Sequence, residues 1–266
     1  MSWQFEVTSA PRFRLDLSQL GSTVDLTPRE VSSFHLWHGN EQAVLGDFCK
    51  VTPSADGVER WSGSLERLDG IGAGNSGRSI AIEGTVGNCI GAGMSAGSIR
   101  IRGDAGNDLG LDLAGGTIIV EGSSGSRTGS FSPGAARGMR GGAIVVTGNV
   151  GEEAGQKMRR GLLAVGGKAA NGAGNLMIAG TLIAGELSPQ FGQGLKRGSI
   201  ISRTKPTQLP IWFGPAVGVE LSFTGLLRRT LSRLMKHDAF AFLADSRWQR
   251  AQGDRLERNQ GELLFP

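Results

Sequence analysis

The side chains that most often carry chemistry are few in this chain and lie apart. Its 266 residues include three histidines, of which His35 and His38 are near neighbours, and two cysteines, Cys49 and Cys89. Two imidazoles at this spacing can share a metal ion, but the sequence places no third ligand beside them. The cysteines belong to no ligand or redox motif, and we expect two small thiols that are buried or half-buried. The sequence therefore predicts no metal site.

Phosphate, dinucleotide and glycosidase chemistry are not indicated either. There is no Gly-x-x-x-x-Gly-Lys-Ser/Thr phosphate loop. The glycine-rich segment 70–77 precedes a strand-like piece rather than a helix, which is the wrong context for a dinucleotide-binding turn. The carboxylates are scattered, whereas a polysaccharide hydrolase or lyase needs them clustered on one face. We expect no catalytic residue and no cofactor bound by this chain.

Charge and composition argue against further classes of protein. The formal net charge is +4, yet no Lys/Arg run alternates with aromatic residues, and tyrosine is absent. A nucleic-acid platform is therefore not expected, although a modestly basic surface can attract an acidic partner. The N-terminal residues do not resemble a signal peptide, and no apolar run approaches the ~20 residues of a membrane span. We expect a cytoplasmic protein without membrane contact.

A repeat of about 19 residues predicts the elements that position these side chains. Each unit reads roughly Gly-x-x-Met/Leu-x-x-Gly-x-Ile-x-Ile/Val-x-Gly. The first apolar residue of each strand-like piece forms an anchor row, with steps of 19, 19, 26, 19, 19 and 18 residues: Ile80, Ile99, Ile118, Ile144, Leu163, Leu182 and Ile200. A second row, the Met row, consists of Met94, Leu113, Met139, Met158, Met177 and Leu195. The repeat predicts an all-β chain built on a right-handed parallel β-helix, a solenoid of about seven turns.

The solenoid accounts for the middle of the chain and leaves two different ends. We expect an N-terminal cap over residues 1–57, the glycine-rich β-helix over 58–203 and a partly helical C-terminal segment over 204–266. Caps are expected because an open solenoid end exposes unpaired strand edges.

Both ends carry local signals of secondary structure. Thr27, Pro28 and Glu30 predict a helix start with a capping box, and Ala43–Val51 predicts a strand. Apolar residues at helical spacing beside several arginines predict an amphipathic helix over Leu221–Met235.

The solenoid strands also carry an apolar row on their outer face. The outward positions are Ala81, Arg100, Ile119, Val145, Ala164, Ile183 and Ile201. The last five of these residues, here called the outer stripe, are apolar and must be covered. Either the chain's own C-terminal segment or another subunit can supply the cover, and the two can coexist. For the second alternative, the partner-docking candidates are Ile119, Val145, Ile183 and Ile201.

One coil is longer than the others. The step of 26 residues places seven extra residues within segment 123–137. Arg127 and Arg137 flank this insertion. Insertions in solenoids become loops on one face, often the binding face. We treat this loop as a candidate ligand or partner site; an uninvolved surface loop is the alternative.

Several of these motifs resemble a known glycine-rich β-helix. The segments Leu68-Asp-Gly-Ile-Gly-Ala-Gly, Gly138-Met-Arg-Gly-Gly142 and Lys157-Met-Arg-Arg-Gly-Leu-Leu-Ala-Val165 resemble the β-helix subunit of the formylmethanofuran dehydrogenase family, most of all that of the bacterial formyltransferase/hydrolase complex. The C-terminal domain of the glutamate synthase large subunit has a similar β-helix. Asn75 departs from the pattern, since the Met row predicts Met or Leu there.

The resemblance implies a scaffold. The β-helix subunit of that family is a non-catalytic structural subunit that bridges amidohydrolase-like and formyltransferase-like catalytic subunits in a hetero-oligomer. The bacterial complex moves formyl groups between tetrahydromethanopterin and a methanofuran-type carrier in one-carbon oxidation, as in methylotrophy. The alternative that the resemblance leaves open is a glutamate-synthase-like spacer in amino-acid metabolism.

Overall fold

The computed structural model describes residues 2–22, 26–235, 238–244, 247–254 and 260–266. Across these residues the chain is almost entirely β-structure. The strands are β1 (Trp3–Val7), β2 (Leu15–Asp16), β3 (His35–His38), β4 (Glu41–Val44), β5 (Cys49–Pro53), β6 (Val58–Ser62), β7 (Leu68–Asp69), β8 (Ser76–Glu83), β9 (Ala96–Arg102), β10 (Thr117–Val120), β11 (Ala143–Val146), β12 (Leu162–Ala169), β13 (Thr181–Leu187), β14 (Ser199–Ser202), β15 (Val217–Glu220), β16 (Arg247–Gly253) and β17 (Gly261–Phe265). The α-helices are α1 (Pro28–Ser32) and α2 (Thr224–Leu234), and short 3₁₀ helices span Ser18–Ser22, Leu45–Asp47 and Asp238–Ala244.

One long sheet forms the body of the molecule. Its strand order is β15-β16-β17-β14-β13-β12-β11-β10-β9-β8-β6-β1-β5, and neighbouring solenoid strands run parallel, one coil apart. The anchor row stacks in the predicted register: Ile80, Ile99, Ile118, Ile144, Leu163, Leu182 and Ile200 pair in succession. The all-β parallel β-helix predicted from the repeat is confirmed.

The solenoid has one coil more than the seven predicted. Strand β6 pairs in parallel with β8 and places Glu59 opposite Ile80, at the anchor position. The carboxylate of Glu59 accepts a hydrogen bond from Trp61 Nε1 at 2.8 Å and pairs with Arg78 Nη1 at 2.5 Å. A charged residue at an apolar position hides this coil from a pattern of apolar anchors.

The interior is filled by the anchor row, the Met row and a third row, which consists of smaller residues. Every member of the Met row is fully buried. The third row pairs through isolated bridges, and Ala169 pairs in addition with Leu187 of β13: the row consists of Val86, Ala105, Ser124, Val150 and Ala169. Ser124, the polar member of this row, shares a 2.8 Å hydrogen bond with the hydroxyl of Thr128, which satisfies both hydroxyls inside the tube.

The glycine before each of the strands β10 to β13 makes room for the Met row. Gly161 has φ +101°, and a Cβ there would lie 2.6 Å from Met139 Cε and 2.7 Å from the Gly142 carbonyl oxygen. A left-handed backbone and this close approach both require glycine. The glycine three residues after a Met-row residue therefore packs on the Met-row residue of the coil before it.

Side-chain oxygens also bond each coil to the next. The backbone N–H groups of Asn88, Asn107 and Ser126 donate to Asp69 Oδ1, Asn88 Oδ1 and Asn107 Oδ1 at 2.6, 2.9 and 2.8 Å. Each donor lies 19 residues after its acceptor. These bonds hold the corner of the coil, where the sheet does not extend.

The N-terminal cap closes one end of the sheet. Strand β1 pairs in parallel with β6 and antiparallel with β5, and the rings of Phe5 and Trp61 stack at 3.9 Å. The capping box of α1 is confirmed, since Thr27 and Glu30 exchange both predicted hydrogen bonds. A single strand over Ala43–Val51 is wrong, because Asp47 accepts from Val44 N–H and a 3₁₀ turn separates β4 from β5.

The C-terminal segment closes the other end. Strand β17 continues the parallel stack on β14, and β16 and β15 follow it as antiparallel strands. The amphipathic helix predicted over Leu221–Met235 is present as α2. None of the helices that the structure describes is both long and apolar enough to cross a membrane.

The Met row supplies a test of the interior packing. We expect Met158→Lys to lower the free energy of unfolding by roughly 3 kcal/mol or more, because it buries an unpaired charge. Denaturant unfolding monitored by far-ultraviolet circular dichroism measures this change. The control is Gln156→Lys, two residues away at a half-buried position, which should change the free energy by about 0.5 kcal/mol or less. Equal stabilities of the two variants would contradict the register.

Candidate functional site

The outer stripe is covered by the chain itself. Ile119 is 7% exposed, and the other four residues of the stripe are fully buried. They share one apolar cluster with residues of the C-terminal segment: Leu231, Met235, Phe240, Leu243, Trp248 and Leu264. These come from α2 and its C-terminal boundary, the last 3₁₀ helix, β16 and β17. The first of the two covers considered for the stripe is therefore present.

The cover makes specific contacts with the solenoid. Arg100, the cation in the outward row, donates from Nη2 to the carbonyl oxygen of Leu234 at 3.3 Å, at the C-terminal end of α2. A cation there satisfies a free carbonyl and is favoured by the helix dipole. At β12, a Cβ on Gly166 would lie 2.9 Å from the Cβ of Ala239. Small residues on both surfaces thus let the 3₁₀ helix pack directly on the sheet.

The cover determines whether a partner can reach the four partner-docking candidates. Ile119, Val145, Ile183 and Ile201 are not a free surface while the C-terminal segment lies over them. A partner that docks on these residues must first displace that segment. Docking on the stripe itself stays a prediction.

The two arginines of the insertion have different environments. Arg127 has a left-handed backbone, φ +60°, and its Nε and Nη2 donate to the carboxylate of Asp108 at 2.7 and 2.5 Å. Asp108 lies one coil earlier, so this pair joins two coils and the Arg127 guanidinium is already engaged. Arg137 is exposed and lines a recess of about 370 Å³ with Asp112, Ala135, Ala136 and Arg140.

The insertion folds back on the solenoid. Asp112 in the recess accepts hydrogen bonds from the backbone N–H and the hydroxyl of Ser132. The ammonium of Lys157 lies 3.8 Å from the centroid of the Phe131 ring. The structure thus brings Arg137 beside Arg140 but does not bring it together with Arg127. A ligand or partner role for the loop stays a prediction.

The histidines do not converge. Nε2 of His38 accepts a hydrogen bond from the Phe13 N–H at 3.0 Å, and its ring packs edge-on against Phe13 and Phe48. His35 is exposed at the other end of β3. No group of three His, Cys, Asp or Glu that could hold a metal occurs in the described part of the chain, and His237 lies outside that part.

The cysteines are not primed for nucleophilic chemistry. Burial raises the pKa of the Cys49 thiol to about 12. The pKa of Cys89 is also raised, first by burial and then by the nearby Asp108 carboxylate. A raised pKa keeps the less reactive thiol form at neutral pH. Both residues are free, with Cys49 buried and Cys89 half-buried, as expected from the sequence.

Sequence reasoning missed one serine pattern. Gly93, Ser95 and Gly97 have the Gly-x-Ser-x-Gly spacing of a nucleophile turn. Strand β9 begins at Ala96, where that motif requires a helix after the serine. The Ser95 N–H donates to the carbonyl oxygen of Asn75, one coil earlier. The pattern is a product of the solenoid repeat and has no structural context of a hydrolase.

Comparison with known proteins finds a similar chain in a formyltransferase/hydrolase complex. No protein-family model matches the sequence, and no curated protein matches it. Among solved structures, the chain is similar to a chain in the X-ray structure of the formyltransferase/hydrolase complex (FhcABCD) from Methylorubrum extorquens in complex with methylofuran. The TM-score is 0.87 at 28% sequence identity, and the match covers 99% of each chain. The resemblance to this complex seen in the sequence motifs is confirmed.

The cover over the outer stripe can be tested by loosening it. We expect Ile183→Asp to speed hydrogen exchange in α2 and in Asp238–Ala244 by at least about tenfold, because a carboxylate buried under the cover weakens its packing. Exchange in β1 and β6, near the other end of the sheet, should not change. Hydrogen exchange with mass spectrometry measures both regions.

The matched control for this experiment is Ala81→Asp. Ala81 occupies the same outward row but lies outside the covered cluster. It should leave exchange in α2 as in the parent. Unchanged exchange in the Ile183→Asp variant would mean that the segment does not pack on the stripe in solution.

Proposed function

We propose that this chain is a non-catalytic structural subunit of a formyltransferase/hydrolase complex. The observation that carries the proposal is the likeness to a chain of such a complex over 99% of both chains, at 28% identity. A match along the whole length includes the caps as well as the repeats. It therefore supports a shared role more strongly than a shared repeat would.

The architecture supports a bridging role. At ~4.8 Å per stacked strand, the eight coils form a rod roughly 35 Å long, with different side surfaces along its length. Antiparallel strands lie at both ends of the sheet, so the parallel stack does not continue into another copy. A capped rod can hold two larger subunits at fixed separation.

The polar side chains in the solenoid support a structural rather than a catalytic role. Glu59 pairs with Arg78, and Arg127 pairs with Asp108. The asparagines of the corner bond to the next coil. Each of these groups joins neighbouring parts of the chain and is engaged in that contact.

We propose amidohydrolase-like and formyltransferase-like subunits as the partners, in the cytoplasm. The similar complex was solved with methylofuran, which supports a methanofuran-type carrier for the complex that contains this chain. The second one-carbon carrier would be tetrahydromethanopterin, in one-carbon oxidation. Both carriers would bind the catalytic subunits, and this chain would bind neither.

Affinity purification from the native host tests this function. We expect the tagged chain to recover an amidohydrolase-like and a formyltransferase-like protein in fixed ratio, because a bridge must bind both. Quantitative mass spectrometry measures the recovery, and the host without the tag is the control. Recovery of the chain alone, or with a glutaminase-type synthase, would contradict the proposal.

A further inference from the structure

One corner of the solenoid is strongly basic. Seven cations lie within two residues of a Met-row position: Arg137, Arg140, Lys157, Arg159, Arg160, Lys196 and Arg197. We call this set the basic corner. Lys157 and Arg159 are half-buried, and the other five residues are exposed. The corner lies just before strands β11, β12 and β14.

Backbone hydrogen bonds stack these residues coil upon coil. The N–H of Arg140 donates to the Leu113 carbonyl, and the N–H of Arg159 donates to the Met139 carbonyl, at 2.7 and 2.8 Å. The N–H of Lys196 donates in the same way to the carbonyl of Met177 at 2.8 Å. Arg140 and Arg159 therefore occupy equivalent places in consecutive coils. In the coil between Arg159 and Lys196 the equivalent place is taken by Ile178, whose N–H donates to the Met158 carbonyl at 2.7 Å. Because each coil rises ~4.8 Å, the corner is a patch about 15 Å long that spans four coils, three of which carry cations.

The charges of the basic corner are not neutralised within the described part of the chain. Along the solenoid strands β6 to β14, by contrast, each cation pairs with a carboxylate, as Arg102 does with Glu83 and Lys168 with Glu186. None of the seven corner cations forms such an ion pair with a described carboxylate. Stacked like charges are unfavourable, and an anionic partner removes that cost.

The insertion enlarges this patch. Phe131 lies against the ammonium of Lys157, and the chain then returns through Arg137 beside Arg140. The carboxylate of Asp112 in the recess is occupied by Ser132. The extra residues thus add a cation and a concave border to the corner.

We propose that the basic corner docks on an acidic surface of a catalytic subunit, an inference that rests on the proposed function. Five of the seven cations are arginines, which bind carboxylates in a bidentate manner and are favoured at protein interfaces. A single-stranded nucleic acid would need aromatic stacking platforms. Phe131 is engaged with Lys157, and the corner residues themselves include no aromatic side chain.

The test measures binding of the purified catalytic subunits to the chain over a series of salt concentrations. We expect Arg159→Glu/Arg160→Glu to raise Kd by at least about tenfold at low salt, and to flatten the dependence of Kd on salt. Arg159→Gln/Arg160→Gln should act in the same direction with a smaller effect. This second variant keeps the test valid if charge reversal disturbs the fold.

The control is Arg12→Glu/Arg29→Glu, which changes the net charge equally at two exposed residues of the N-terminal cap. Equal weakening by both charge reversals, or none by either, would overturn the proposal. Binding of a single-stranded RNA to the same variants is measured alongside. If Arg159→Glu/Arg160→Glu abolishes RNA binding but leaves subunit binding unchanged, the proposal is overturned and the corner is assigned to nucleic acid. A parent chain that binds no catalytic subunit would contradict the proposed function itself.

Discussion

The structure depends on each coil stacking in register on the coil before it. No single coil can bury its apolar residues alone, so anchor must lie on anchor and Met row on Met row. The seven extra residues show how strict this requirement is. Strand β10 still pairs with β11 anchor on anchor, with Ile118 opposite Ile144. The insertion leaves the stack, forms a loop and returns to the same position.

Much of this stacking could be predicted, because it follows from the repeat of about 19 residues in the sequence. The anchor row, the Met row and the glycine before each strand recur at fixed spacing and depend on local chemistry. The capping box of α1 is equally local. The first coil is absent from the predicted anchor row, because buried Glu59, paired with the half-buried Arg78, stands at the anchor position in place of an apolar residue. Asn88 and Asn107 are visibly 19 residues apart in the sequence. Their hydrogen bonds could not be predicted, because the sequence does not show which backbone N–H group each side-chain oxygen faces.

Predictions about surfaces were limited for a different reason. The apolar character of the outer stripe was visible, but its cover depends on the path of the C-terminal segment, which no local pattern specifies. The basic corner was equally visible as individual arginines. Only the stacked arrangement shows that the cations on the solenoid strands β6 to β14 are paired, whereas those of the corner form no ion pair with a described carboxylate. The structure thus separates an apolar surface that packs within the chain from a basic surface whose cations form no ion pair with the described carboxylates.

Hydrogen exchange of the chain alone and in the assembled complex tests this separation most directly. Our account predicts that the outer stripe and α2 are equally protected in both states. It predicts new protection on assembly around residues 131–140, 157–160 and 196–197. New protection confined to the stripe and to a displaced C-terminal segment, with no change at the basic corner, would contradict it.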